Sequence, residues 1–201
     1  MIEQGAERTG SPARPATPRT DTALAPLTTD TGLLLRLWTA DDRDAVREAF
    51  AAPLMHRQFG EPLPEGGTVD DAAAAHWLAR RDAERAAGLA YSWAVTDRGA
   101  LVGCAAVGSV NRTHDSGWIS YWTVPAARGR GVAGSALRAL AGWCLGDLGL
   151  YRLELGHRID NPASCRVARA AGFVPEGVQR GKLRYGDVRH DVELHARLAD
   201  D

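Results

Sequence analysis

The segment Val124-Pro125-Ala126-Ala127-Arg128-Gly129-Arg130-Gly131-Val132-Ala133-Gly134 constrains the fold of this 201-residue chain more than any other. Before it, residues 118–124 (W-I-S-Y-W-T-V) have the aromatic and β-branched content of a strand. After it, residues 131–148 place Val132, Ala136, Leu137, Leu140, Ala141, Cys144 and Leu148 at helical spacing. Glycines in such a strand-to-helix turn let the backbone approach a ligand closely. The unpaired amides of the first helical turn, with the positive end of the helix dipole, form an anion site. Arg128 and Arg130 add mobile positive charge, and a diphosphate is the natural occupant because successive N–H donors wrap its oxygens. An ordinary surface turn would use similar residue types. A nucleoside-triphosphate loop needs Gly-Lys followed by Ser or Thr, which is absent, and a dinucleotide fold needs a βαβ start.

What precedes the turn is hairpin-like instead. Residues 91–96 and 101–110 read as strands joined by Asp97-Arg98-Gly99-Ala100, and His114-Asp115-Ser116-Gly117 leads into the strand at 118–124. Three adjacent antiparallel strands are therefore expected. Earlier, Leu33-Leu34-Leu35-Arg36-Leu37 suits a strand, and Thr39 or an Asp just after it can cap a helix running to Phe50. Residues 51–67 carry Pro53, Pro62, Pro64, Gly60, Gly66 and Gly67 and predict an irregular loop. A helix over 69–87 is expected to present Ala72, Ala75, His76, Ala79, Ala83 and Ala86 on one face, with His76 at least half-buried. Downstream come a strand at 151–155, a short helix at 162–171 ended by Gly172, and a closing strand at 188–198.

Residues 1–31 are rich in Pro, Thr, Ala and Arg and too poor in large apolar side chains to offset the entropy of ordering, so they are expected to be a disordered tail before a domain at 32–199. Lys and Arg total 24 against 25 Asp and Glu, which leaves no global field to recruit nucleic acid or an anionic membrane. No apolar run of about 18 residues occurs, and the start resembles no signal peptide, so a cytoplasmic location is expected. Cys104, Cys144 and Cys165 are scattered, without C-x-x-C spacing, and read as reduced core residues; no metal is expected.

The turn resembles the acyl-CoA-binding signature of the GNAT acyltransferases, here Arg128-Gly129-Arg130-Gly131-Val132-Ala133. The likeness continues through Arg152-Leu153-Glu154, Asn161-Pro162-Ala163-Ser164, Ala171-Gly172-Phe173-Val174-Pro175-Glu176-Gly177 and Arg189-His190-Asp191, spanning roughly residues 33–198. These motifs are similar to those of the branch containing the ribosomal-protein acetyltransferases RimJ and RimL. The resemblance implies an α/β (α+β) fold: a mixed, mostly antiparallel sheet with helices on both faces, whose parallel strands at 118–124 and 151–155 splay apart to form an acyl-CoA cleft. It implies acetyl-CoA as co-substrate, a primary amine as acceptor, and a monomer or homodimer.

The residues that would then carry the chemistry can be named. The diphosphate would lie on the amides of Gly129, Arg130, Gly131, Val132, Ala133 and Gly134, flanked by Arg128 and Arg130. A backbone N–H within Trp122, Thr123 and Val124 would polarise the thioester carbonyl, and Val124 would also bond the pantetheine arm. Ser164 would protonate the departing thiolate beside Asn161, which holds the cofactor arm; Asn161 also suits a plain helix cap, with Pro162 opening the helix. Glu154 is either the general base, acting through water, or a carboxylate paired with Arg152 or Arg158. His114, Asp115 and His157 are fallback bases. Trp93, Trp118, Tyr121 and Trp122 either line the acceptor pocket or belong to the core, at least two of them to the core. The basic stretch Arg180, Lys182, Arg184, Tyr185 and Arg189 reads as a solvated hairpin, or as contacts to an acidic acceptor or the CoA phosphate. Three functions stay open: acetylation of a protein α-amine, acetylation of a small amine such as an amino acid, polyamine or antibiotic, and non-catalytic acyl-CoA binding.

Overall fold

The computed structural model describes residues 24–59 and 67–201. Its frame is one eight-stranded sheet in the order β1-β2-β3-β4-β5-β6-β8-β7. The strands are β1 (Leu27–Thr28), β2 (Leu34–Leu37), β3 (Tyr91–Asp97), β4 (Ala100–Asn111), β5 (Ser116–Thr123), β6 (Arg152–Arg158), β7 (Val174–Tyr185) and β8 (Val188–Leu198). All neighbours are antiparallel except β5 and β6. The three antiparallel strands read from the sequence are β3, β4 and β5, and the mixed α/β fold is as expected.

The helices are α1 (Arg43–Ala49), α2 (His56–Phe59), α3 (Asp71–Ala86), α4 (Val132–Gly146) and α5 (Pro162–Ala170). Strand alternation sends successive side chains to opposite faces and so builds two cores. On one face Ala105, Val107, Ile119, Leu153 and Leu155 meet Ala136, Leu137 and Leu140 of α4, with Ala168 and Phe173 from α5 and its exit. Fully burying a leucine such as Leu137 or Leu140, both 0% exposed, contributes about 1.5–3 kcal/mol. On the other face Cys104 and Trp122 meet Val46, Phe50, Met55, Phe59, Trp77 and Leu78 from α1 to α3 and their connections.

The structure differs from the sequence reading at four places. The sheet begins ahead of residue 32: β1 pairs with β2, and Leu24 and Leu27 pack on the larger core, while residues 1–23 of the expected tail lie outside the described residues. The loop at 51–67 contains a 3-10 turn at Pro53–Met55 and the short α2; residues 60–66 are not among those described. Helix α3 buries Ala74, Trp77 and Leu78, leaving Ala72, His76, Ala79 and Ala83 exposed. The five alanines of the expected face carry little burial energy, so the two large apolar side chains set the face: Trp77 packs edge-on to Trp38 at 5.0 Å and donates its indole N–H to the Phe59 carbonyl at 3.0 Å. Finally, residues 174–185 are a long edge strand. Pro175, Gly177 and Gly181 mask its period, and the register shifts beside them are where an edge tolerates such residues.

Candidate functional site

β5 and β6 pair only over Ser116↔Arg152, Gly117↔Leu153 and Trp118↔Glu154, and beyond that point the two strands part. β6 instead stays paired with β8 along its full length, from Arg152↔Leu198 to Arg158↔Val192. Val124 donates its amide to the Val102 carbonyl at 3.0 Å, still within the ladder with β4. By the two-residue alternation of an antiparallel ladder, Trp122 also turns its amide to β4, whereas Tyr121 and Thr123 turn theirs toward the gap. Of the three candidates for polarising a carbonyl, Thr123 is thus the one whose amide faces the opening. Val124 is engaged at both ends, because its carbonyl accepts from Ala127 at 3.0 Å.

The glycine turn lies at one side of this gap. Gly129 and Gly131 have φ of +75° and +79°, a region where a side chain is strained, and a Cβ on either would meet nothing within 4 Å. Gly131 is the N-cap of α4 and offers no side-chain cap, so among the described residues no side chain caps the first amides of this fifteen-residue helix. These features fit an approaching diphosphate. The arginines are engaged elsewhere: Arg130 pairs with Asp97 at 2.7 Å, and Arg128 reaches the Thr123 carbonyl and Met55 Sδ, both at 3.3 Å. Behind the turn, Ser135 donates to Asp30 at 2.6 Å and Arg138 to the same carboxylate at 2.8 Å, which ties the β1–β2 connection to α4. Those hydrogen bonds hold Asp30 below the ordinary carboxylate range. Nothing in the sequence pointed to that tether.

Across the gap stands the start of α5. Asn161 is its N-cap and Pro162 its first residue. The Asn161 Oδ1 accepts the Ser164 amide at 3.2 Å, and its Nδ2 donates to Ser164 Oγ at 3.0 Å. From β5 the Tyr121 hydroxyl donates to the Ser164 carbonyl at 3.4 Å. Burial, the largest influence, raises the Tyr121 phenol above its usual value, so it keeps its proton at neutral pH.

A cavity of about 340 Å³ occupies the opening, lined by Trp118, Ser120 and Tyr121 of β5, Leu155 to Arg158 of β6, Asn161 and Ser164, with Leu54, Gln58, Leu183 and Tyr185 around the mouth. A second cavity of about 290 Å³ shares Gln58, Ser120 and Tyr121 with it and runs toward Arg80 and Arg81 of α3. Of the four sheet aromatics, Trp93 and Trp122 are core, while Trp118 and Tyr121 line the first cavity. In the basic hairpin Tyr185 faces that cavity; Arg184 bonds Asp187 and the Gly186 carbonyl, and Arg189 the Gly181 carbonyl.

Glu154 does not line the cavity. Its carboxylate accepts from Arg152 Nε at 2.6 Å, and Arg152 in turn holds Glu176. Among the described residues no Asp or Glu lines either cavity. His157 borders the first, but its Nδ1 bonds the Arg158 carbonyl at 2.9 Å and its Nε2 lies 3.0 Å from His195 Nε2. His114 and Asp115 sit in the turn before β5, at the closed end of the strand pair.

A GNAT acetyltransferase domain family matches residues 32–174. The chain is 31% identical over 100 residues to the ribosomal-protein-serine acetyltransferase of Escherichia coli K12, a stretch that is 50% of this chain and 56% of that relative. Little more than half of that protein is thereby spanned. Among solved structures, Mycobacterium smegmatis RimJ in complex with CoA-disulfide superposes with a TM-score of 0.78 at 25% identity, covering 88% of this chain and 87% of RimJ. The α-N-protein acetyltransferase RimL with coenzyme A superposes with a TM-score of 0.77 at 19% identity over 87% of this chain and 98% of RimL, a likeness of fold. A family match over most of the sequence, on a sheet that opens between the parallel strands β5 and β6, settles the kinship: this chain is a member of the GNAT acetyltransferase domain family.

Proposed function

We propose that the chain transfers an acetyl group from acetyl-CoA to a primary amine, and that the acceptor is the α-amine of a protein or peptide N-terminus. One observation carries the reading. The β5–β6 gap is bordered by the uncapped, glycine-lined start of α4 on one side and by the Asn161–Ser164 cap on the other, with a cavity between.

The outward amides of residues 129–134 bind the diphosphate, a role that needs only backbone and dipole. Arg130, 54% exposed at its side chain, can exchange Asp97 for phosphate oxygen. The amide of Thr123 serves the thioester carbonyl as charge develops on it. The amine adds to that carbonyl carbon and the carbon–sulfur bond breaks. Ser164, or Tyr121 whose hydroxyl bonds the Ser164 carbonyl, returns a proton to the sulfur.

The lining supports this acceptor class. Freeing an α-amine of its proton at neutral pH costs about 1 kcal/mol, whereas a lysine amine costs about 4 to 5. With no carboxylate turned into either cavity among the described residues, water suffices for the first and not for the second. The names of the E. coli relative and of RimL, both acting on proteins, agree with this reading. The test is a pair of peptides assayed with acetyl-CoA by mass spectrometry, one with a free N-terminus and no lysine, the other N-terminally blocked with one lysine. Acetylation of the first alone is expected. Acetylation of only the second, or only of spermidine or free amino acids in the same assay, rejects the α-amine of peptides as acceptor.

A further inference from the structure

Beside the cleft, whose cavity His157 also borders, four polar side chains from three elements converge where α5 packs on the sheet. His157 lies on β6, Glu193 and His195 on β8, and Cys165 on α5. One ligand atom from each can be chosen so that all lie within 4.8 Å of one another. His157 Nε2 stands 3.0 Å from His195 Nε2 and 3.3 Å from Glu193 Oε2. That same oxygen is 2.9 Å from His195 Nε2 and 3.4 Å from Cys165 Sγ.

We infer that His157, Cys165, Glu193 and His195 form a closed, tetrahedral site for a divalent transition ion of the zinc class. Zinc sits about 2.0–2.2 Å from nitrogen and oxygen and about 2.3 Å from sulfur, so tetrahedral donors stand about 3.3–3.7 Å apart. The separations of 3.3 and 3.4 Å already fit, those of 2.9 and 3.0 Å need outward movements of a few tenths of an ångström, and the distances from Cys165 Sγ to the two imidazoles, within 4.8 Å, close by about 1 Å at most. Two imidazoles, a thiolate and a carboxylate are a donor set suited to zinc, and the two anionic ligands make the filled site neutral, which matters where both histidines are buried.

The surroundings orient His157 as such a site requires. The Arg158 carbonyl takes the Nδ1–H of His157, directing a bare Nε2 at the cluster. Arg169 Nε lies 3.3 Å from Cys165 Sγ, a contact that holds the sulfur at the edge of the cluster. His195 is 1% exposed and its Nδ1 has no hydrogen-bond partner among the described residues, so every polar contact of that ring is on the Nε2 edge. The cysteines show no C-x-x-C spacing because the ligands come from separate elements, so the expectation of no metal rested on a pattern this arrangement does not use. An ion here would fasten α5 to β6 and β8.

The test uses the full-length chain, stripped with chelator and dialysed. Calorimetric titration with zinc chloride is expected to show one saturable site of sub-micromolar Kd, and zinc should raise the Tm. Cobalt(II) is expected to give the strong visible bands of tetrahedral coordination together with a thiolate charge-transfer band. The substitution Cys165→Ser, conservative and at a half-buried position, should abolish that band and weaken zinc by at least about tenfold, and His195→Gln should do the same if it folds. Failure to saturate below millimolar zinc, or unchanged zinc affinity in folded Cys165→Ser, overturns the inference. Because these readouts need no acetyl-CoA, they stand apart from the fate of the acyltransferase reading.

Discussion

Asn161 holds Ser164 at two points, accepting its amide through Oδ1 at 3.2 Å and donating to its Oγ through Nδ2 at 3.0 Å. The second contact occupies a lone pair of the hydroxyl and leaves its proton free to be given away. One residue thus closes the helix end and aims the hydroxyl into the gap between β5 and β6.

Those two roles separate by substitution. Asn161→Asp keeps an oxygen for the amide but loses the donor to Oγ, so stability should stay within about 0.5 kcal/mol while turnover falls. Asn161→Ala loses both, costing about 1 kcal/mol in addition. Urea unfolding beside steady-state kinetics separates the cap from the aim.

Ser164→Ala should lower kcat by about 10²-fold with little change in the affinity for acetyl-CoA measured by calorimetry. If Tyr121 is the proton donor instead, Tyr121→Phe takes the larger loss. Equal falls in turnover and affinity for Ser164→Ala would assign it to binding alone.

At Gly131 the φ of +79° makes Val costly by about 1–2 kcal/mol, although a Cβ there meets nothing within 4 Å. Gly131→Val should fold, with reduced stability, and lose CoA affinity because side-chain bulk covers the helix start. Gly149, at φ +73° beyond the other end of α4 and equally open, is the control. Gly149→Val should show a similar drop in stability with unchanged CoA affinity, both read by calorimetry.

Arg36 on β2 grips Asp42 through both nitrogens, at 2.7 and 2.6 Å, and the Thr39 amide adds a third bond at 2.8 Å. Burial alone would raise the Asp42 carboxyl, but Arg36 and Thr39 outweigh it and hold the group below its usual 3.8. A lowered folded pKa means this stabilisation is complete above the unfolded value and disappears as pH falls through the folded one. Asp42→Asn should cost about 1–3 kcal/mol at neutral pH, and the gap to the parent should narrow as the pH falls below the ordinary carboxyl value of 3.8. Denaturant midpoints across that range check it.

Much of the site was legible because its logic is local. The spacing Arg128-Gly129-Arg130-Gly131 marks an uncapped helix start, and Asn161-Pro162 marks a cap, whatever surrounds them. Glu154 was harder. The pattern placed it and Arg152 on one face of β6, but only the fold shows Arg152 bridging it to Glu176 on β7. Helix α3 misled for an energetic reason, since its alanines outnumber but do not outweigh Trp77 and Leu78.

By itself, the sequence determined the order of most elements, though not β1, α2 or β7, together with the turn that opens α4 and the cap that opens α5, because turn chemistry and periodicity act over a few neighbours. Only the tertiary structure decided that β6 leaves β5 after Trp118↔Glu154 to follow β8, and that His157, Cys165, Glu193 and His195 meet. Both depend on which distant strand wins the edge of β6, and that choice is made by packing summed over the whole sheet.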